Sequence, residues 1–427
     1  MTKTPRKTAR KSPQRRAGTA TVISGDPEDG GESIALMEPM AIGESSRWRG
    51  EMSELAVELT YQAADFRSSL PSGVRTALCD LVRNMNCYYS NLIEGHATHP
   101  IAIERALNGV YDNDPKKRNL QLEAKAHIAV QRWIDEGGIA GKCTAAASIC
   151  EVHRQFVERL PDELRWVKHP ATGEMLPVKP GEYREHDVQV GRHIPVSPGA
   201  VPRFMARFEQ AYKGVSSSRG QAILAAAGAH HRLAWIHPFL DGNGRVIRLI
   251  SHAMMADALD TGGVWSVARG LARNVYDYKR LLADCDQPRR NDLDGRGNLS
   301  EEALVEFTRF FLGVCIDQVT FMRGLMQPEN LRARILTWAE EEARLGSFPK
   351  SAVAVMEALL FRGELPRSDM PGLTQTKERH AARVASQLNS FGVITSASSR
   401  APWRLALPAT LAHRWFPGLY PVNSTPV

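Results

Sequence analysis

The sequence predicts a mainly α-helical protein that carries one β-hairpin and a C-terminal unit of helices followed by strands. Apolar residues recur at three- to four-residue spacings through most of residues 50–325, which is the helical period. Residues 161–202 instead alternate and are rich in glycine and proline, which favours a short hairpin. After residue 346 the helical period returns, and the alternating segment 393–407 follows it.

The N-terminal arm is predicted to be disordered. Its first sixteen residues, MTKTPRKTARKSPQRR, hold seven lysines and arginines, and the residues that follow are polar as far as about 45. Such a segment cannot bury enough apolar surface to offset the entropy of ordering it. These sixteen residues contain no acidic residue, so their charge of +7 equals the formal net charge of the whole chain. Most basic tails are only solvated, so this one does not by itself indicate DNA binding.

The body of the chain divides into further units. Leu55, Leu59 and Phe66 mark the first helical segment, and a polar, turn-rich loop at 289–300 precedes another helix. The predicted units are the arm at 1–45, an N-terminal helical region at 46–140, a motif-bearing domain at 141–325, a linker helix at 326–345 and a C-terminal unit at 346–427.

Composition points to a cytoplasmic protein without a membrane span. Hydrophobic residues make up 43% of the chain, enough for a core, but no apolar run approaches the length of a transmembrane helix. The basic N-terminus lacks the apolar segment of a secretory signal. The six scattered cysteines fit reduced thiols rather than a disulfide framework. A homodimer is compatible with the sequence but is not indicated by any motif.

The segment HPFLDGNGRVIR, residues 237–248, concentrates the chemistry of the chain. An apolar helix is expected to end before Pro238, and Gly242-Asn243-Gly244 is expected to form a tight turn before the next helix. The backbone N–H groups of such a turn at a helix start form an anion-binding concavity. We therefore predict a phosphate site here.

The side chains of this segment suit a nucleotide triphosphate. Arg245 and Arg248 are three residues apart and share one helix face, so both can grip phosphates. Asp241 can hold one Mg²⁺ together with phosphate oxygens. His237 titrates near neutral pH and suits a general base. Each residue alone is more often structural, but the set in this order is hard to explain by packing.

The segment resembles the Fic family motif, HPFx(D/E)GNGRxxR, at every defining position, and GEYR at 181–184 and VQVGRHIP at 188–195 extend the resemblance. The resemblance implies a Fic-type helical bundle with a β-hairpin flap, and a protein adenylyltransferase that transfers AMP from ATP to a target hydroxyl. It implies these roles: catalysis by His237, Asn243 and Arg248; Mg²⁺ binding by Asp241; α-phosphate contact by Gly242, Asn243 and Gly244; and β- and γ-phosphate contact by Arg245 and Arg248.

A second resemblance lies upstream, in SNLIEG at residues 90–95. It matches the (S/T)xxxE(G/N) inhibitory helix of one Fic subgroup. Ser90 and Glu94 are four apart on one helix face, and Gly95 is suited to end the helix. The resemblance implies that Glu94 pairs with Arg248 and blocks the γ-phosphate. In some relatives the same glutamate orients a water that removes AMP, so de-AMPylation stays open. The alternative is an ordinary surface glutamate.

Two further parts of the pocket are predicted from position. By its position the hairpin in 161–202 corresponds to the family's flap, which pairs with the target main chain, and Val188, Val190 and Ile194 are the candidate docking residues. The alternative is an ordinary solvent-facing hairpin. Tyr278 is the candidate for adenine contact, with core packing as the alternative. Three histidines are expected to shape the pocket or the core rather than bind a metal, namely His193, His230 and His231.

The C-terminal unit resembles a winged helix in its order of helices and strands. Such folds place a helix in the DNA major groove or serve as docking modules, and Lys377, Arg379 and Arg383 are the candidate DNA contacts. An alternative function follows, a DNA-binding transcriptional regulator whose Fic unit senses nucleotide. The intact His237 and Asp241 favour the enzyme, because a sensor would need only the turn and the arginines.

Overall fold

In the computed structural model, the described residues are 20–23, 28–96, 98–214, 218–260 and 263–421. The mainly α-helical class predicted from the sequence is confirmed. The helices are α1 (Arg49–Ser69), α2 (Ser72–Ile93), α3 (Pro100–Leu107), α4 (Pro115–Asp135), α5 (Ala146–Val157), α6 (Val201–Tyr212), α7 (Arg219–Ile236), α8 (Asn243–Leu259), α9 (Val267–Arg273), α10 (Val275–Asp284), α11 (Glu301–Leu325), α12 (Pro328–Leu345), α13 (Ser351–Arg362), α14 (Met370–Thr374), α15 (Glu378–Ser390) and α16 (Ala412–Trp415).

The strands are short and form three small sheets. They are β1 (Thr21–Ile23), β2 (Trp166–Lys168), β3 (Met175–Pro177), β4 (Asp187–Gln189), β5 (Glu364–Leu365), β6 (Ile394–Thr395) and β7 (Trp403–Leu405). β2 and β3 make an antiparallel hairpin, β1 pairs antiparallel with β4, and β5, β7 and β6 form a three-stranded sheet in that order. Across the described ranges no helix is long and apolar enough to cross a bilayer.

Helices α7 and α8 form the centre of the domain and present the loop between them. α7 is buried on almost all sides, as its run of alanine and leucine leads one to expect. It ends at His237, which takes the left-handed conformation with φ of 51° and donates its N–H to Leu233 O at 3.1 Å. Gly242, with φ of 82°, turns the chain into α8. The residues between these two turns therefore lie in a short, fixed loop.

Helix α2 packs its apolar face into the larger of two hydrophobic clusters and ends beside α8. Leu78, Leu81, Val82 and Met85 are buried in that cluster. The helix closes where Gly95, with φ of 82°, donates its N–H to Leu92 O at 3.0 Å. Ser90 and Glu94 lie in the last turn, and this brings them to the start of α8.

The C-terminal unit has the predicted order of helices and strands, but it is not separate from the body. Its buried side chains belong to the same apolar cluster as those of α1, α2 and α11. Tyr89 on α2 donates its hydroxyl to Leu419 O at 2.7 Å. The backbone of Gly363 lies against Gly73 so closely that neither position has room for a Cβ. The winged-helix interpretation stays a prediction.

The prediction of a disordered arm as far as residue 45 is wrong for residues 20–23 and 28–45. Arg203 forms an ion pair with Asp29 at 2.6 Å, and Tyr212 donates its hydroxyl to Met40 O at 2.5 Å. Polar composition predicted disorder because the partners of these groups lie far along the chain, on α6. The basic residues of the first sixteen lie outside the described residues.

Candidate active site

Asn243 holds the loop between α7 and α8 in shape. Its side-chain amide donates to Phe239 O at 2.7 Å, and its side-chain oxygen accepts from Phe239 N at 3.0 Å. The side chain is buried, so water does not compete for either bond. The loop therefore delivers the unpaired N–H groups of the first turn of α8 to one place, and the helix dipole favours an anion there. The predicted α-phosphate contact of the amide stays a prediction.

His153 on α5 supports the same loop and was not predicted from the sequence. Its ring is stacked on Phe239 with centroids 3.8 Å apart. Gly181 N–H donates to its Nδ1 at 3.0 Å, so Nε2 carries the proton and donates to Asp241 O at 3.1 Å. Burial lowers the pKa of His153 to about 4, so the ring is neutral at pH 7. No local pattern around residue 153 signals this role.

His237 is held in its neutral form. Its Nδ1 lies 3.3 Å from Ala234 O, which requires a proton on Nδ1 and leaves the lone pair on Nε2. Burial lowers its pKa to about 3, and the charge of Arg184 acts in the same direction. Arg184, also buried, donates its Nε to His237 O at 2.9 Å. In the sequence Arg184 stands out only as part of GEYR, which assigns it no role.

Asp241 is the candidate metal ligand. Its Oδ1 accepts Gly242 N–H at 2.7 Å and lies 3.5 Å from Arg245 Nη2, while 36% of the side chain is exposed. Among the described residues no group of three or more metal-binding side chains comes together. One accessible carboxylate beside an anion site suits Mg²⁺, which takes one or two carboxylates and completes its shell with phosphate and water.

The guanidinium of Arg248 is held by the end of α2. Its Nε donates to Ser90 Oγ at 2.8 Å, and its Nη2 donates to Ser90 O at 3.2 Å and to Glu94 Oε1 at 2.5 Å. Only 5% of the Arg248 side chain and 16% of the Glu94 side chain are exposed. The structure therefore brings Ser90 and Glu94 of the inhibitory pattern together with Arg248, the expected partner of Glu94.

The carboxylate of Glu94 also covers the glycine turn. It lies so close to Gly244 Cα that a Cβ at this position would collide with Oε1. Gly244 therefore has a steric reason to lack a side chain, and the space directly over the first turn of α8 is filled by Glu94. An anion that binds at this turn has to displace the carboxylate.

Arg245 has a partner that no sequence motif identifies. Its Nη1 forms an ion pair with Glu123 on α4, whose side chain is 1% exposed. The other oxygen of Glu123 lies 3.1 Å from His96 Nδ1. The residue is separated from Arg245 by 122 positions, so no spacing in the sequence relates the two.

The predicted adenine and flap residues are placed differently from expectation. Tyr278 is 5% exposed, and its hydroxyl lies 2.8 Å from His230 Nε2, so it has no free face for a base and belongs to the core. Val188 is buried, and its strand β4 is paired along one edge with β1 rather than within a hairpin of residues 161–202. Val190 closes a tight turn by pairing with His193, and Ile194 is 60% exposed.

The contact between Glu94 and Gly244 can be tested by stability alone. We expect Gly244→Ala to lower the free energy of unfolding by about 1–3 kcal/mol, because the methyl group overpacks against the carboxylate. In a Glu94→Gly background the same change should cost less, with a coupling energy of about 1 kcal/mol or more. Chemical denaturation of the four proteins measures this, with Gly313→Ala, an exposed position on α11 with open space around it, as the control. Equal costs in both backgrounds would contradict the contact.

Comparison with known proteins places this loop within a family. Residues 144–255 match the model of the Fic/DOC family. Proteins named protein adenylyltransferase Fic from Drosophila melanogaster and Drosophila ananassae are 42% and 41% identical to the chain over 86 residues, which is 20% of this chain and 18% and 17% of theirs. The chain thus spans less than a fifth of the length of these relatives.

Two solved structures align in part with the chain. A Fic family protein from Desulfovibrio desulfuricans G20 is 17% identical, with a TM-score of 0.48, and the match covers 82% of this chain and 96% of that one. Fic-1 from C. elegans is 18% identical, with a TM-score of 0.46, and the match covers 65% of this chain and 76% of that one. On the sequence match of residues 144–255, which contain the loop from His237 to Asn243, the chain carries a domain of the Fic/DOC family.

Proposed function

We propose that the chain is a protein adenylyltransferase that transfers AMP from ATP to a hydroxyl side chain of a target protein, and that Glu94 restrains it. The observation that carries the proposal is the pairing of Arg248 with a carboxylate directly over the glycine turn, beside a neutral His237. A cation and helix N-terminus that hold a carboxylate so closely are suited to hold a phosphate instead. The names of the Drosophila relatives agree with this reaction class.

In this proposal the target hydroxyl loses its proton to Nε2 of His237 as its oxygen attacks the α-phosphorus. A bond forms between that oxygen and the α-phosphorus, the bond from the α-phosphorus to the bridging oxygen breaks, and pyrophosphate leaves. The backbone N–H groups at the start of α8 stabilise the charge on the α-phosphate. Asp241 would hold Mg²⁺, which neutralises phosphate charge when it is bound.

The restraint follows from competition for Arg248. The γ-phosphate of a productively bound ATP and the carboxylate of Glu94 would need the same guanidinium, and two anions cannot both occupy that place. Binding of ATP in the productive position therefore requires Glu94 to leave. The same carboxylate, once a modified target is bound, suits a second role, that of orienting a water that removes AMP. De-AMPylation is thus part of the proposal.

Two substitutions test the transfer and its restraint together. We expect Glu94→Gly to raise incorporation of label from α-labelled ATP into the protein itself by about tenfold or more, because a competing charged partner of Arg248 is removed. Adding His237→Ala should reduce that incorporation at least about a hundredfold while ATP binding persists. Labelling that is unchanged by Glu94→Gly would count against the restraint. Undiminished labelling with His237→Ala would end the general-base assignment.

The pH dependence of transfer follows from the state of His237. Its pKa is lowered to about 3, so the ring stays in the neutral, proton-accepting form as the pH falls through 6.5, where an ordinary histidine would become charged. We expect the transfer rate of the Glu94→Gly protein at saturating ATP to show no decline centred near pH 6.5 between pH 8 and 5. ATP binding measured at each pH is the control. A transfer rate that falls to half its maximum near pH 6.5 would contradict the lowered pKa of His237.

A second candidate function, DNA binding, is favoured by one face of α15. This helix buries Ala381, Val384, Ala385 and Leu388 and leaves its opposite side exposed. That side carries Arg379 and Arg383, with Lys377 just ahead of the helix, and all three are exposed. A helix with an apolar inner face and a basic outer face is suited to the major groove.

DNA binding by this face predicts a salt-dependent affinity. We expect Arg379→Ala with Arg383→Ala to weaken binding of duplex DNA by the full chain and to reduce the slope of log affinity against log salt by about two, since a protein that neutralises fewer phosphates releases fewer counterions. Fluorescence anisotropy at several salt concentrations measures this, and Arg344→Ala on α12 is a charge-matched control. No measurable DNA binding, or an equal effect of the control, would remove this candidate.

A further inference from the structure

Arg245 is held by a buried carboxylate that belongs to neither the motif nor the inhibitory helix. Glu123 is on α4, its side chain is 1% exposed, and that of Arg245 is 9% exposed. Burial raises the pKa of Glu123, but the interactions with Arg245 and His96 together outweigh burial and bring the pKa to about 2. The pair is therefore ionised at neutral pH. Each charge needs the other, since a buried charge left alone is strongly destabilising.

The ion pair fixes which edge of the Arg245 guanidinium remains available. Nη1 is taken by Glu123, while Nη2 faces Asp241 Oδ1 at 3.5 Å. The guanidinium carbon lies 5.0 Å from the centroid of the Phe156 ring, which limits how the group can rotate. Nε is buried and has no hydrogen-bond partner among the described residues. A buried N–H donor without a partner indicates that a ligand or water completes the site.

We propose that Glu123 is a positioning residue for nucleotide binding: by holding Nη1 of Arg245, it turns the Nε–Nη2 edge toward Asp241 and the loop, where that edge grips the β-phosphate. This inference rests on the proposed function for the identity of the ligand. Glu123 does not touch the nucleotide. It acts through Arg245 alone, so its removal should affect only phosphates that Arg245 reaches.

His96 connects this arrangement to the turn that ends α2. It follows Glu94 by two residues, and its Nδ1 lies 3.1 Å from the second oxygen of Glu123. Both motif arginines are thus joined to one turn, Arg248 through Glu94 and Arg245 through Glu123 and His96. In this proposal a nucleotide that displaces Glu94 binds next to Arg245. The partner of Arg245, Glu123, is itself bonded to His96 in the turn that ends α2.

The test compares binding of ADP and AMP, because only ADP carries a β-phosphate. With Mg²⁺ present and Glu94→Gly in the background, we expect Glu123→Gln to raise the Kd of ADP about tenfold, the size of effect of a misplaced charge-assisted hydrogen bond, and to leave the Kd of AMP unchanged. Glu123→Asp keeps the charge and should recover part of the ADP affinity. His96→Ala should raise the Kd of ADP by about two- to threefold, because one supporting hydrogen bond is removed.

Asp135 provides the matched control on the same helix. It is a buried carboxylate paired with Arg83 at 2.7 Å and with His252 at 2.7 Å, and it forms no ion pair with Arg245 among the described residues. Asp135→Asn should lower the melting temperature but leave the ratio of the two Kd values unchanged. If Glu123→Gln does not fold, Glu123→Asp and His96→Ala carry the same comparison, because both keep a carboxylate beside Arg245.

The outcomes separate this inference from the proposed function. Equal weakening of ADP and AMP binding would overturn the positioning role. So would an unchanged ratio of the two Kd values in Glu123→Gln, Glu123→Asp and His96→Ala. Selective weakening of ADP binding supports it even if the Glu94→Gly protein never transfers AMP, since binding is measured without turnover. Conversely, if the protein transfers AMP but the ratio of the Kd values of ADP and AMP is unchanged, the proposed function would stand and Glu123 would have no part in it.

Discussion

The site is organised around one buried cation, the guanidinium of Arg248. Ser90 supplies two neutral acceptors, and the carboxylate of Glu94 supplies the negative charge. A guanidinium that is removed from water needs an anion beside it, because an uncompensated buried charge costs several kcal/mol. In this structure the anion is part of the chain. In the proposed function, a phosphate of ATP meets the same requirement in place of Glu94.

The fold delivers the charges of the site from three helices that are distant in sequence. The end of α2 contributes Glu94, α4 contributes Glu123, and α8 contributes both arginines. Apolar packing, which does not depend on charge, sets the relative positions of these helices. The charged side chains then pair at the positions that this packing fixes. The left-handed turn at His237 and the bonds from Asn243 to Phe239 add the local precision that packing alone does not give.

The features that could be predicted from the sequence each lie within one short, continuous segment of it. The helical class, the helix end before Pro238 and the loop of 237–244 follow from short-range rules of periodicity and turn formation. Ser90, Glu94 and Gly95 are identified by their resemblance to the inhibitory pattern, and helical spacing places Ser90 and Glu94 on one face. Glu123 and His153 could not be predicted this way, because Glu123 meets Arg245 on α8 and His153 meets the loop through tertiary contacts across about a hundred residues. The ordered residues of the arm and the pairing of β1 with β4 escaped prediction for the same reason.

The docking of the C-terminal unit on α2 has a consequence for any attempt to divide the molecule. Tyr89 donates its hydroxyl to Leu419 O, and Gly73 leaves room for the backbone of Gly363, so the helix that leads into Glu94 is covered by the described part of the C-terminal unit, residues 346–421. A fragment that stops before residue 346 would expose the part of α2 that the C-terminal unit covers. Its bare apolar surface would invite self-association, and its activity would report on a loosened helix as much as on a missing domain.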